Sequence, residues 1–393
     1  MHSKNLLTRS TGHARQLRIG IDTWPLENRF RHTGIYVYGR NLLMQFRQMA
    51  AAESIEFMPL VCRQTREWDE FRAAGCRPHE SPLARIGRAW RYGGACISAR
   101  AANCDVLFCP SGTTLPIARI VPVVSTIHDI IPIKFPEIPK ARALRFEFGK
   151  AARSSMAVIT DSLNSKQDLI SVFDLPPSKV HVVYLACDRA TFNETTVDPE
   201  VSSALLKKLS VTRGFIFHHG RVQARKNLKR LVEAYDLLLS RNPNLEFDLV
   251  LVGDLGSQDE EILRAADNVC PRARIIFAGP QSDFDLSVLL KAARLVVIPS
   301  FYEGFCLPLL EAMACGAPTI CSNSSCLPEI SGGMLRYFDP TSTEEMAACM
   351  EQALEDAELR AELSSQGKKR AAFFSWRRCA EETMEVLKTA ARS

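Results

Sequence analysis

The 393-residue sequence has no run approaching the roughly 18 consecutive apolar residues that a membrane helix needs. Its opening segment, MHSKNLLTRSTGHARQLRIG, is polar and basic and has no apolar core for export, so the expected location is the cytoplasm. None of its 13 cysteines forms a Cys-x-x-Cys pair, and many, such as Cys109, Cys315 and Cys321, sit in apolar company. That pattern fits buried free thiols rather than disulfides or a structural zinc. No Gly-x-Gly-x-x-Gly follows any strand-like run, which argues against a nicotinamide-dependent oxidoreductase. A net charge of +5 is too small to imply a nucleic-acid partner.

Acids are missing from two local stretches. Residues 1–20 carry Lys4, Arg9, Arg15 and Arg18, and residues 81–104 carry Arg85, Arg88, Arg91 and Arg100, with Trp90 and Tyr92 among them. Basic residues interleaved with aromatics suit the face of an anionic membrane. A peripheral position on the inner face of the plasma membrane, through Arg85, Arg88, Trp90, Arg91 and Tyr92, is therefore expected.

What is present describes a globular α/β protein: 46% hydrophobic and 24% charged residues in a chain long enough for two cores. Strand-like runs at 17–22, 55–61, 105–109, 121–127, 157–160 and 180–184 alternate with helical patterns such as 35–50, 141–153 and 162–172. The second half repeats the scheme with strands at 215–220, 248–254, 273–279, 295–300, 318–322 and 335–338, and beyond 340 the chain reads as helix. Such alternation favours parallel sheets covered on both faces. A polar joint at 191–213 sets the expected domains at 1–195 and 196–372, followed by a C-terminal helix at 373–393.

The segment SFYEGFCLPLLEAMACG (300–316) is the most informative. A buried strand precedes it, Gly304 opens a turn, Pro308 suits the first helical position, and Gly316 with Pro318 marks the stop. Glu303 thus lies in a loop beyond a strand end, and Glu311 one turn into a helix whose N-terminus attracts phosphate. The residues from Phe301 to Leu310 hold no lysine or arginine to pair either acid. Two acids there suit neutral hydroxyls, as a sugar and a ribose offer. In the turn GRVQARK (220–226), Arg221 and Lys226 could reach a diphosphate, whereas Arg225 is expected to be solvated. His128 and Asp129 leave the fourth strand of the first half at its carboxyl end, where ligands of wound sheets collect. Thr33 and Gly34 lie between the first strand and first helix and allow a second close backbone approach. Asp283 and Asp285 form an Asp-x-Asp, but Ser282 and Asp283 sit where a helix begins, so capping is expected in place of metal binding. His218 and His219 fall in a core strand and receive no role.

Glu303-x7-Glu311 with its flanks, the turn GRVQARKNL, and in the first half TGIYVYGRNLL (33–43), STIHDIIPIKFPE (125–137) and ITDSLNSKQDLI (159–170) resemble the retaining glycosyltransferases of family four. The resemblance implies the GT-B fold: two facing Rossmann-like domains, a central cleft and a C-terminal helix returning to the first domain. It implies that Glu303 binds the donor sugar, Glu311 the ribose, and Arg221 with Lys226 the diphosphate. Gly304, Phe305, Cys306 and Leu307 would contact sugar and phosphate, His128 would act near the anomeric centre, and Gly34 would border the diphosphate. The family often has glycine where Cys306 lies, and it usually works without metal. The HDIIPIKFPE stretch is similar to bacterial polysaccharide mannosyltransferases, which implies GDP-mannose as donor and a glycan or lipid-linked oligosaccharide as acceptor. A UDP-hexose donor is the alternative, since base contacts near Gly253 and Gly279 run through backbone. A non-catalytic nucleotide-sugar-binding protein is the alternative of another class. Glu303→Ala and Lys226→Ala are expected to abolish turnover without unfolding the chain.

Overall fold

Runs of β-branched and aromatic residues bounded by turn residues become strands throughout this chain. The computed structural model describes residues 16–26, 33–50, 55–61, 79–81, 83, 89–116, 120–138, 140–254 and 259–393. The first sheet contains β1 (Leu17–Asp22), β2 (Ile55–Val61), β3 (His79–Glu80), β4 (Val106–Cys109), β5 (Val123–Thr126), β6 (Ala157–Thr160) and β7 (Val180–Val182). The second contains β8 (Gly214–His219), β9 (Phe247–Val252), β10 (Ile275–Gly279), β11 (Leu295–Ile298), β12 (Thr319–Ser322) and β13 (Arg336–Phe338). Only the two-residue edge strand β3 is absent from the sequence-based expectation; it is too short to show a period.

Pairings are parallel in both sheets, in the orders β3-β2-β1-β4-β5-β6-β7 and β10-β9-β8-β11-β12-β13. Each order reverses once, between β1 and β4 and between β8 and β11. Beyond the strand ends at such a reversal the following loops diverge, which opens a crevice for a ligand. The basic turn follows β8 and the acidic loop follows β11, so the second sheet's reversal brings them together.

Helices cover the sheets. They include α1 (Gly34–Ala50), α2 (Ala141–Ser154), α3 (Leu163–Phe173), α4 (Leu228–Arg241), α5 (Leu307–Ala314) and α6 (Trp376–Arg392). On α4 the stripe Leu228, Leu231, Val232, Tyr235, Leu238 and Leu239 is buried, as its spacing predicts. Ser375 caps α6 by accepting from the Arg378 N–H, and this last helix packs against α1 and β4–β6 of the first sheet. Trp376 of α6 stands 6.5 Å from the ring of Tyr38. The C-terminal helix thus returns to the first half, giving the two-domain α/β arrangement expected of GT-B.

The expected membrane face is corrected in part. Trp90 is fully buried, and its Nε1 donates at 2.9 Å to Asp22 Oδ1. Asp22, the last residue of β1, is itself buried, and the indole with Thr114 supplies the hydrogen bonds its carboxyl needs. Arg91 is tied to Glu147 at 2.5 Å and to the Thr113 carbonyl at 3.0 Å. Neither side chain is free to meet lipid. Tyr92 is 52% exposed, and Arg85 and Arg88 lie outside the described residues. No helix among the described residues is long and apolar enough to cross a membrane.

Candidate active site

The turn after β8 is shaped by its backbone. Gly220 has φ of +140°, and Asn227 turns left-handed at φ +60° while its side-chain amide donates to the carbonyls of Pro299 and Pro340. That anchoring directs Arg225 and Lys226 at the loop after β11. Lys226 Nζ lies 2.6 Å from Glu303 Oε1, and Arg225 Nη1 lies 2.6 Å from Glu303 Oε2. Ser300 Oγ adds a third donor at 2.7 Å. Burial opposes ionisation of Glu303, but the two cations outweigh it and hold the carboxyl at about 2. Glu303 is therefore a fixed anion across the working pH range, and its three donors leave the carboxylate room to accept one more hydrogen bond.

Arg225 is thus not solvated. It also donates to the Tyr302 carbonyl at 3.1 Å, and its side chain is only 14% exposed. The sequence hides this because the partner is 78 residues away. Arg221, by contrast, is exposed at the start of the turn. Lys226 has three donors, of which Glu303 uses one, leaving capacity for a phosphate oxygen.

Glu311 behaves in the opposite way. Burial, with Asp283 nearby, raises its carboxyl to about 8, Lys226 offsetting only part of the shift. His219 Nε2 lies 3.6 Å from Glu311 Oε2, while burial and the neighbouring cations lower its imidazole to about 3. Both groups are uncharged at neutral pH, so the contact is not an ion pair. His219 Nε2 is buried without a hydrogen-bond partner, as is Nε2 of His218, whose Nδ1 meets the Val297 carbonyl at 2.9 Å. These histidines, given no role by sequence, stand directly behind the acidic pair. Ser282 caps the helix Asp283–Ala292 by accepting from the Asp285 N–H, as expected.

A raised carboxyl favours the folded protein only while protonated, so its contribution falls as pH rises from the unfolded value near ~4.5 through about 8. Glu311→Gln should accordingly melt higher than wild type at alkaline pH and no higher at pH near ~4. Thermal scans at both values check it. The same change should raise donor KM several-fold at neutral pH, about the cost of losing one uncharged hydrogen-bond partner for a ribose hydroxyl.

Cys306 occupies the left-handed region at φ +72°, where glycine is unstrained, which accounts for the family's glycine at this position. Cys306 and Phe305 are both buried, Phe305 with its ring 5.7 Å from that of Phe374. Leu307 begins α5, with Pro308 in its first turn. Gly34 of the first domain is close enough that a Cβ there would meet Leu307 at 3.9 Å.

His128 faces the cleft from the first domain. Its Nδ1 lies 2.8 Å from Asp161 Oδ2, its Nε2 3.2 Å from the Pro110 carbonyl, and the Tyr38 ring meets it edge-on at 4.8 Å. Acceptors beside both nitrogens favour the protonated ring. Burial works against that charge, and Asp161 more than offsets it, raising the imidazole above its ordinary value. Asp161, absent from the sequence-based set, is recognisable only once β6 brings it beside β5.

The two domains touch across this site. Ser162 Oγ donates to the Gly304 carbonyl at 2.7 Å, and the Asp129 side chain abuts Gly304 so closely that a Cβ there would lie 2.8 Å from Asp129 Cβ and 2.9 Å from its Oδ2. Tyr302 donates to Asp168 at 2.6 Å, and Glu329 accepts from the Leu163 N–H at 2.7 Å and from Tyr184 at 2.9 Å. These contacts set Gly34 beside Leu307, Asp129 next to His128 against Gly304, and Lys226 on Glu303, with Arg221 exposed on the same turn as Lys226. A separate cavity of about 570 Å³, lined by residues including Asn227, Arg230, Glu233 and Phe301, opens between that turn and the helix Asp259–Asp267.

Facing parallel α/β domains with paired acids and cations at the second sheet's reversal define a glycosyltransferase of the GT-B class. The profile of "Glycosyl transferases group 1" matches residues 207–370, and that of "Glycosyltransferase Family 4" matches residues 59–191. The chain is 32% identical over 273 residues to O-antigen chain mannosyltransferase B of Escherichia coli, covering 69% of this chain and 71% of that protein. The chain belongs to glycosyltransferase family 4. It is also 32% identical over 272 residues to the serotype-specific mannosyltransferase WbdA of Escherichia coli, covering 67% of this chain but only 33% of that protein. Among solved structures, Anabaena HepE bound to UDP and glucose superposes with a TM-score of 0.70 at 18% identity, covering 95% of this chain and 100% of that one. Sucrose-phosphate synthase of Thermosynechococcus elongatus gives 0.66 at 18%, covering 95% and 98%. These last two show the fold.

Proposed function

We propose that the protein transfers mannose from GDP-mannose, with retention of configuration, to a glycan or lipid-linked oligosaccharide acceptor. The observation that carries the chemistry is the Glu303 carboxylate held between Arg225 and Lys226 at the reversal of the second sheet. The names of the relatives direct the choice of sugar. In this reading the diphosphate lies at the N-terminus of α5 against Lys226 and Arg221, and Glu303 and Glu311 accept from sugar and ribose hydroxyls. The anomeric C–O bond to phosphate breaks, the acceptor oxygen bonds to the same carbon from the same face, and its proton passes to a phosphate oxygen. The His128 imidazolium is placed to offset negative charge building on the departing group. The cationic side chains and helix terminus take the part that a divalent ion would otherwise play.

Donor hydrolysis and transfer, measured with GDP-mannose and with UDP-glucose, test the proposal. GDP-mannose should be consumed faster, with undiminished rate in excess EDTA. Preference for UDP-glucose would assign a glucosyl donor, loss of activity in EDTA would overturn the metal-free reading, and inertness toward both would make the protein a binder.

A further inference from the structure

We propose that the outward face of α2 is a docking surface for an anionic lipid bilayer. On this helix Arg142, Arg145, Phe146, Lys150 and Arg153 are all exposed, and their spacing of three and four residues puts them on one side. The sequence ARALRFEFGKAARS contains a single acid, Glu147, and that acid is buried and neutralised by Arg91. The outward face therefore presents four cations and no anion of its own. Phe146, in the middle of it, is 60% exposed, which leaves a large apolar side chain that no described residue covers. Tyr92, 52% exposed, joins the patch because its hydroxyl donates to Glu147 at 3.5 Å.

Cations around a protruding aromatic ring match a bilayer, whose headgroups take the charge and whose interfacial zone takes the ring. An acidic protein surface would satisfy the cations but would give Phe146 no apolar layer to enter. The face is also well placed. The short helix Ile131–Lys134, which follows His128 and Asp129 at the cleft, packs against α2. A bilayer on α2 would thus lie beside the first domain's side of the cleft. Of the surface expected from residues 85–92, Glu147 draws Arg91 inward and Tyr92 joins α2, while Arg85 and Arg88 lie outside the described residues.

The full chain should co-sediment with phosphatidylcholine vesicles containing phosphatidylglycerol, not with phosphatidylcholine alone, and high salt should release it. At about fivefold per surface charge, Arg142→Glu with Arg145→Glu should lower partitioning at least about a hundredfold. Phe146→Ser should weaken it several-fold at any salt. Lys150→Glu with Arg153→Glu serves as an independent pair should the first fail to fold. All should keep wild-type donor hydrolysis. Failure of the wild type to bind phosphatidylglycerol vesicles, equal binding to phosphatidylcholine alone, or full binding by the folded charge-reversed variants would overturn the proposal.

Discussion

Glu303→Ala should lose transfer activity by about a hundredfold to a thousandfold and should also melt well below the wild type. The activity term comes from removing the group held at the sugar position, comparable with the about 2.7 to 4 kcal/mol lost when one preorganised electrostatic partner is deleted in other enzymes. The stability term comes from Lys226 and Arg225, both drawn inward by this carboxylate. Leaving buried charge unpaired costs about 3 to 5 kcal/mol. To the expectation, based on sequence, of inactivation without unfolding, the two buried cations add a loss of stability. Glu303→Gln separates the two effects, since it keeps shape and the Ser300 contact but removes the charge. Transfer kinetics together with thermal melts read both. An alanine variant with near-normal turnover would remove Glu303 from the reaction.

Lys226→Ala should lower kcat about a hundredfold or more, because the lysine is the buried cation shared between Glu303 and the expected diphosphate position. It should also change the acid limb of the pH profile. In the wild type Glu303 remains ionised down to about 2, with Lys226 the largest of the causes that lower it. Without the lysine, burial is opposed only by Arg225 and the Ser300 hydroxyl, so Glu303 takes up its proton at higher pH and acid loss of activity begins earlier. Lys226→Arg should not restore the rate: a planar guanidinium cannot occupy a pocket built for a compact ammonium beside Glu303 and Gly220. Rates across the acid range for the three proteins test this.

The fold was legible because its signals are local. The apolar run ending at Pro299, the Pro308 start and the Gly316 stop each act within a few residues, and β11 and α5 follow them closely. The acids at 303 and 311 were visible because no local cation accompanies them. What the sequence could not reveal depends on long-range pairing. Arg225 looks like any helix-start cation until Asn227 fixes the turn and Glu303 arrives from the next strand. Trp90 reads as surface aromatic among arginines until Asp22, 68 residues earlier, claims its N–H. His219 and Asp161 carry no motif of their own; each is recognisable only from the carboxyl or imidazole that a neighbouring element sets beside it.

A crystal structure with the nucleoside diphosphate sugar bound tests the central claim most directly. The account predicts the diphosphate at the N-terminus of α5 within hydrogen-bond reach of Lys226, and hexose hydroxyls on the Glu303 carboxylate. A donor seated instead in the cavity beside Asn227 and Arg230, with Glu303 and Lys226 still engaged only with each other, would contradict it.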